Sequence, residues 1–362
     1  MKRLLTVTAA LTFALVNFCS FAQNNADWAF AVSGDSRNCG DLVMPAIAKS
    51  AHADNAAFYW HLGDFRALYS PDEDLLAARH GPLSVAEYQR SAWQDFIDQQ
   101  LAPFGNMPVF LAMGNHELVS KTRSDALLAF ADWFDSPVIR SQRLSDDPSD
   151  HKLRGYYHWH EHNLDFITMD NASPEQFDHD QLVWFEKTLK EDAEDRTIRT
   201  VIVGMHDALP DSISAGHSMN ESATGTETGR RVYSDLVDFQ KRSGKEVQVV
   251  SSHAHFLMSD VYKTSCHKPE DVLPGWIVGT AGAVRYRLPR EHSAAAVAKT
   301  DVYGYLLGKV NPEGHVSFVF RPILWSNITA ATRERYGAIA VLKCFEGNKS
   351  DYRAEGPKCA VR

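Results

Sequence analysis

At residues 109–117 the chain reads VFLAMGNHE, a short apolar run that ends in a glycine, an asparagine and a histidine. The apolar part has the length and composition of a buried β-strand. Gly114 lets the backbone turn sharply where that strand ends. Asn115 and His116 therefore follow the carboxyl end of a strand, which is the position where open α/β sheets build their sites.

Four other apolar runs end in a similar way. They are followed by Gly34-Asp35, Gly63-Asp64, Gly204-Met205-His206-Asp207 and Ser252-His253-Ala254-His255. One such motif is a weak signal, because Gly-Asp is common in turns, but five in order are specific. Helical amphipathic patterns, such as that over residues 180–191, lie between several of these strands. Strands that alternate with helices predict an α/β fold with a mixed sheet.

The composition is that of a globular protein. The chain has 362 residues, 44% of them apolar, and a formal net charge of −9, which excludes collagen-like, coiled-coil and disordered classes. Its acidity argues against a nucleic-acid-coating role. We expect residues 23–362 to form a single domain, with C-terminal strands and a tail over 310–362.

Residues 1–22 have the features of a secretory signal peptide. Lys2 and Arg3 precede an apolar run over 4–18, and a small-x-small cleavage pattern follows. This run is too short for a stable membrane anchor, and no later run is long enough to span a bilayer. We therefore predict a secreted or periplasmic protein, with a lipid anchor on Cys19 as the alternative.

Four cysteines remain after such a cleavage. They are Cys39, Cys266, Cys344 and Cys359. An even number in an oxidising compartment indicates two disulfides. Of the three pairings we favour Cys344–Cys359, which closes a short loop in a polar tail, and this leaves Cys39–Cys266. A metal-binding thiolate is the alternative for one of them.

The ordered motifs between Trp28 and Gly282 resemble those of the calcineurin-like metallophosphoesterases, which include the purple acid phosphatases. The resemblance implies a two-layer mixed β-sandwich flanked by helices, with a dinuclear metal centre at one edge. It implies six metal ligands, which are Asp35, Asp64, Asn115, His206, His253 and His255. Asp64 would bridge the two ions, and His116 would act beside them as general acid or transition-state stabiliser.

Two positions depart from that family's pattern. Arg37 stands where many relatives carry a histidine, and Ala67 stands where purple acid phosphatases carry a ligating tyrosine. The ion beside Asp35 is left with three protein ligands, to be completed by water or Tyr69, or is bound weakly. Arg37 is a candidate for binding the substrate phosphate, with a surface salt bridge as the alternative. His217 is a second substrate candidate.

Two further features have a functional and a plain interpretation. The segment 66–104 follows Asp64 directly, and it is either a cap insertion over the site or a packing appendage. His158, His160 and His162 alternate along an extended segment, and they form either a second metal site or a solvated hairpin face.

The six proposed ligands indicate the chemistry. Mixed nitrogen and oxygen ligands suit two divalent or trivalent transition-metal ions, such as Mn, Fe, Zn or Ni. Such a pair lowers the pKa of a shared water, and the resulting hydroxide can attack phosphorus. We expect an exported metal-dependent phosphoesterase for small esters, with monoesters favoured because the sequence shows no basic track for a polynucleotide. The alternatives are a phosphodiesterase for small diesters, such as a nucleotide or phospholipid headgroup, and a catalytically silent binding protein.

Overall fold

The strands of the protein are short, and most of them belong to two main sheets. The computed structural model describes residues 27–79, 81–173, 176–356 and 359. The strands are β1 (Trp28–Ser33), β2 (Ala56–His61), β3 (Val109–Leu111), β4 (Tyr157–Glu161), β5 (Leu164–Thr168), β6 (Thr200–Gly204), β7 (Glu246–Ser251), β8 (Leu257–Ser259), β9 (Gly275–Val278), β10 (Arg285–Arg287), β11 (Ala298–Lys299), β12 (Tyr303–Val310), β13 (Val316–Ile323) and β14 (Lys349–Arg353).

The helices lie between these strands and on the outer faces of the sheets. They are α1 (Gly40–Ala53), α2 (Glu73–Arg79), α3 (Val85–Phe96), α4 (Arg123–Ala129), α5 (Ala131–Phe134), α6 (Pro137–Asp146), α7 (His179–Glu194), α8 (Ala223–Ser243), α9 (Ala330–Tyr336) and α10 (Ala338–Leu342). Among the described residues, none of the helices has both the length and the apolar character needed to cross a membrane.

The strand order places several carboxyl ends at a common edge. The first sheet runs β13-β12-β1-β2-β3, and the second runs β11-β8-β9-β7-β6-β5-β4. The strands β1, β2 and β3 are parallel to one another, as are β5, β6, β7 and β9. The turns that carry the polar motifs therefore leave each sheet in the same direction.

The two sheets pack face to face through large aromatic side chains. The ring of Phe166 in β5 lies 5.0 Å from those of Phe30 in β1 and Phe58 in β2. Trp60 packs so closely on Gly204 that a Cβ atom there would lie 2.2 Å from the indole ring. Helix α1 packs outside the first sheet, and α7 and α8 pack outside the second. This confirms the two-layer sandwich flanked by helices.

Each of the five apolar runs that precede the motifs forms a strand, whereas two polar stretches with the composition of loops are partly helical. The polar stretches 141–152 and 211–229 overlap the end of α6 and the beginning of α8. Helix α8 begins early because the Ser222 hydroxyl accepts a hydrogen bond from the Gly225 N–H, which caps the first turn.

The segment 66–104 is anchored by a buried arginine. The Arg66 guanidinium lies 2.7 Å from an Asp41 oxygen in α1, and 3.6 and 3.7 Å from carboxylates of Asp72 and Asp74. Helix α2 is thereby tied to α1. The interpretation of this segment as a cap stays a prediction.

The disulfide pairing differs from the favoured one. The bonds join Cys39 to Cys344 and Cys266 to Cys359. The short loop between Cys344 and Cys359 did not predict the pairing, because tertiary packing decides which sulfur atoms meet. Cys344 lies in a π turn that follows α10 and packs with Cys39 in the core around α1. Strand β14 pairs with β10 and carries the tail away from Cys344.

We expect the Cys39–Cys344 bond to contribute about 2–4 kcal/mol to the free energy of unfolding. The paired change Cys39→Ala with Cys344→Ala should cost about 1 kcal/mol more than Cys266→Ala with Cys359→Ala, because loop-closure entropy grows with loop length. The first bond spans 305 residues and the second spans 93. Urea unfolding of the oxidised proteins measures both costs, and a larger cost for the second pair would contradict this expectation.

Candidate metal site

The six predicted ligands come together where the two sheets meet. The first sheet supplies Asp35 after β1, Asp64 after β2 and Asn115 after β3. The second sheet supplies His206 after β6, and His253 and His255 after β7. Ligand atoms of Asp64, His206 and His253 lie within 4.8 Å of one another, and so do those of Asp35, Asp64 and His255.

Three of these residues have a left-handed backbone. The φ angles of Asp35, Asp64 and His253 are 60°, 61° and 61°, a region that costs most residues about 1 kcal/mol or more. Hydrogen bonds hold these turns, since the Asp35 N–H donates to the Gly63 carbonyl at 2.9 Å. The His253 N–H donates to Asp35 Oδ2 at 2.7 Å. The sharp turns aim the side chains inward.

The first ligand group centres on His206. Its Nδ1 lies 2.8 Å from the Leu62 carbonyl oxygen and donates a proton there, so Nε2 is the nitrogen that binds a cation once it has lost its own proton. That nitrogen lies 3.1 Å from Asn115 Oδ1 and 3.1 Å from His253 Nδ1. It lies 3.3 Å from Asp64 Oδ1. Oxygen and nitrogen acceptors thus converge on one point, as a cation requires.

The second ligand group contains an arginine. His255 Nδ1 lies 2.6 Å from the Val284 carbonyl oxygen and donates there, so its Nε2 carries the lone pair. This Nε2 lies 3.1 Å from Asp35 Oδ1 and 3.0 Å from an Arg37 guanidinium nitrogen. The Nε of Arg37 lies 3.5 Å from Asp64 Oδ2.

The donor atoms fit transition-metal ions. Asp35 Oδ1 and Asp64 Oδ2 are buried and, among the residues that the structure describes, accept no hydrogen bond. Buried carboxylate oxygens are costly unless a cation or a donor satisfies them. Imidazole nitrogens and carboxylate oxygens are together typical of Zn, Mn and Fe sites.

Charge also shapes the site. Burial alone would raise the pKa of Asp64, but His116, His206 and Arg37 outweigh it and hold this pKa below the usual range. Burial lowers the pKa of His206, but the carboxylates of Asp64 and Asp35 outweigh that effect and raise it to about 9. The centre therefore stabilises an ionised Asp64 among cationic neighbours.

His116 lies beside the six candidate ligands. Its Nδ1 lies 2.6 Å from the Ala67 carbonyl oxygen and donates there. The other nitrogen, Nε2, lies 3.6 Å from Asp64 Oδ2. Burial lowers the pKa of His116, although the Asp64 carboxylate opposes this. The imidazole is thus fixed with one nitrogen free to face a substrate.

Glu117 is a buried residue of the candidate site that the sequence analysis missed. It is fully buried, and its two carboxylate oxygens accept the backbone N–H groups of Asp64, Phe65 and Gly114 at 2.8–2.9 Å. Burial and the Asp64 carboxylate raise the pKa of Glu117 to about 8, against the effect of these donors. The sequence signal for Glu117 was its position in the motif Gly114-Asn115-His116-Glu117, directly after two candidate site residues.

The rim of the site is aromatic. The His217 ring stacks on that of His253 at 4.7 Å, which places this predicted substrate residue beside the ligands. Tyr286, which no local pattern marked, stacks on His255 at 4.1 Å. The Tyr352 hydroxyl lies 2.8 Å from His217 Nδ1.

The three alternating histidines do not all meet, although His158, His160 and Asp165 have ligand atoms within 4.8 Å of one another. His158 is held between Asp146 and Asp165, at 2.7 and 2.8 Å. His160 lies 3.9 Å from the same Asp165 oxygen. His162 packs instead on Trp28, with the ring centres 5.1 Å apart. The ion pairs of His158 give this cluster a structural explanation.

Comparison with known proteins adds a family and a fold. The sequence profile of the calcineurin-like phosphoesterases matches residues 39–257, which is more than half of the chain. No curated protein matches the chain in sequence.

Three solved structures illustrate the likeness of the fold. Purple acid phosphatase PPD1 from seeds of yellow lupin (Lupinus luteus) has a TM-score of 0.56 at 16% identity, over 82% of this chain and 52% of that one. PhoD has a TM-score of 0.50 at 14% identity, over 88% and 78%. A dimetal phosphatase from Danio rerio has a TM-score of 0.50 at 12% identity, over 81% and 98%. The chain thus spans about half of the length of the lupin structure.

Proposed function

Because the chain belongs to the calcineurin-like phosphoesterase family, a family of phosphoric ester hydrolases, we propose that it is an exported, metal-dependent phosphomonoesterase. One observation carries this proposal. Carboxylate, amide and imidazole ligand atoms from both sheets converge at the carboxyl ends of their strands. Two disulfides support export, whereas residues 1–22, assigned to a signal peptide, lie outside the described part of the chain.

We propose that Asp64, Asn115, His206 and His253 hold a transition-metal ion. When bound, such an ion supplies a water of lowered pKa and positive charge for the phosphate oxygens. The group of Asp35, Asp64 and His255, which the sequence analysis assigns to a second ion, also contains the Arg37 guanidinium.

The residues of this chain then orient the ester and move its proton. His116 is fixed through Nδ1, so in its protonated, imidazolium form its Nε2 would donate a proton to the leaving oxygen or stabilise the charge that develops there. Arg37 and His217 would contact the substrate. A permanent cation at Arg37 favours the doubly charged phosphate of a monoester over the singly charged phosphate of a diester.

A hydrolysis panel tests the function. Metal-supplemented protein should hydrolyse p-nitrophenyl phosphate with a higher kcat/KM than bis(p-nitrophenyl) phosphate, and chelation should abolish both activities. Preference for the diester would overturn the substrate class. Metal binding without hydrolysis of either ester would favour a silent binding protein.

His116→Ala should lower kcat by about 100-fold or more for an alkyl phosphate, because general acid catalysis contributes about 10²–10⁴-fold. The loss should be much smaller for p-nitrophenyl phosphate, whose leaving group needs no proton. Steady-state kinetics on both esters measure the difference, with the exposed His315→Ala as the control variant. An equal loss on both esters would show that His116 does not protonate the leaving group.

A further inference from the structure

We propose that Arg37 takes the place of a second metal ion, so that the site holds one ion and one guanidinium. This inference deepens the proposed function and rests on its metal dependence. The ion belongs to the group of Asn115, His206 and His253. The guanidinium supplies the positive charge on the side of Asp35 and His255, and Asp64 lies between the two.

The first argument is the lone pair of His255. Its Nδ1 hydrogen is given to the Val284 carbonyl oxygen, so Nε2 has the only lone pair of the ring. A guanidinium nitrogen of Arg37 lies 3.0 Å from that Nε2 and donates to it. An ion at the usual metal–nitrogen distance of about 2.1 Å on the same lone pair would lie about 1 Å from the guanidinium nitrogen. The Nε2 lone pair can bind a metal ion or accept the Arg37 hydrogen bond, but it cannot do both.

The second argument is that the guanidinium is held in place. Arg37 is buried, with 5% of its surface exposed. It donates through a terminal nitrogen to the Tyr69 hydroxyl at 3.2 Å, and its Nε lies 3.5 Å from Asp64 Oδ2. The Tyr286 ring covers His255 at 4.1 Å. These contacts come from several segments and fix the side chain inside the ligand group.

The third argument is the balance of charge. The two buried carboxylates, Asp35 and Asp64, carry the negative charge of the ligand set. One divalent ion and the Arg37 guanidinium already exceed that charge. A second divalent ion would add two more positive charges within a few ångströms of a buried guanidinium, where the low dielectric makes like-charge repulsion severe.

The test counts ions in metal-free protein that is reloaded with Mn²⁺, desalted and analysed by elemental mass spectrometry. Wild type should hold one Mn²⁺ per chain, with the electron paramagnetic resonance spectrum of isolated ions. Arg37→His, which replaces the cation with a ligand, should hold two ions and show the spectrum of a spin-coupled pair. Arg37→Gln removes the charge at similar size and should raise the count above one at high Mn²⁺.

Two variants locate the single ion and control for folding. His253→Ala should lose it, whereas His255→Ala should keep it. Two ions in wild type, loss of the ion in His255→Ala, or a count that stays at one in both Arg37 variants would each overturn the inference. A chain that holds no ion would end the proposed metal dependence as well. One bound ion without any ester hydrolysis would leave the inference standing and reject the proposed activity.

Discussion

Asp64→Asn should lower kcat/KM for p-nitrophenyl phosphate by about a thousandfold or more, which corresponds to about 4 kcal/mol of transition-state stabilisation. Asp64 is fully buried, and both of its oxygens face cationic or donor groups. Asp64 Oδ1 accepts a hydrogen bond from the backbone N–H of His116 at 3.0 Å and lies 3.3 Å from His206 Nε2. The amide keeps the volume but removes the charge on which a cation at this point depends.

The measurement combines kinetics with the Mn²⁺ affinity of the metal-free variant. Asp54→Asn is a matched control, since that carboxylate pairs with Arg321 at 2.7–2.8 Å and precedes the amino end of β2. It should keep kcat/KM within about threefold, because Asp54 precedes β2 whereas Asp64 follows the other end of that strand. An Asp64→Asn variant with activity within tenfold of wild type would remove Asp64 from the metal site.

Glu117→Ala should lower the free energy of unfolding by about 3 kcal/mol or more. The change leaves three buried backbone N–H groups without their acceptor, and each unsatisfied group costs about 1–3 kcal/mol. These groups belong to Asp64, Phe65 and Gly114. Since they form the turns after β2 and β3, the variant should also bind Mn²⁺ more weakly.

A comparison with a surface carboxylate isolates the effect of burial. Glu87 likewise accepts a backbone N–H, that of Ser84 at 3.1 Å, but it is exposed at the start of α3. Glu87→Ala should cost about 0.5–1 kcal/mol, a typical value for a capping interaction, and leave Mn²⁺ affinity unchanged. Chemical denaturation of both variants gives the two costs, and equal costs would show that Glu117 does not organise these turns.

Local patterns indicated the candidate ligands because each one closely follows an apolar strand. The sequence places Asp35, Asp64, Asn115, His206 and His253 at strand ends, and parallel strands bring such ends to one edge. The roles of side chains whose contacts lie far away in the sequence could not be predicted in this way. Nothing near Arg37 in the sequence indicates that its guanidinium reaches His255, because that contact joins positions 218 residues apart.

The position of the C-terminal strands also depends on distant partners and could not be predicted from local patterns. Strand β12 pairs antiparallel with β1 in the interior of the first sheet, although the last 80 residues carry no recognisable motif. The disulfide pairing was predicted wrongly for a related reason. The partner of Cys39 lies in a π turn after α10, and the packing of α10 near α1 leaves no local pattern in the sequence.

The left-handed backbone at Asp35, Asp64 and His253 restricts which amino acids can stand there. Aspartate, asparagine and histidine tolerate this conformation several-fold better than other residues with a side chain. Glutamate and cysteine can also bind metals, but they lack that tolerance. A residue at these three turns must therefore meet two conditions if it is to bind the proposed ion: it needs a donor atom, and it needs to tolerate the left-handed dihedral angle.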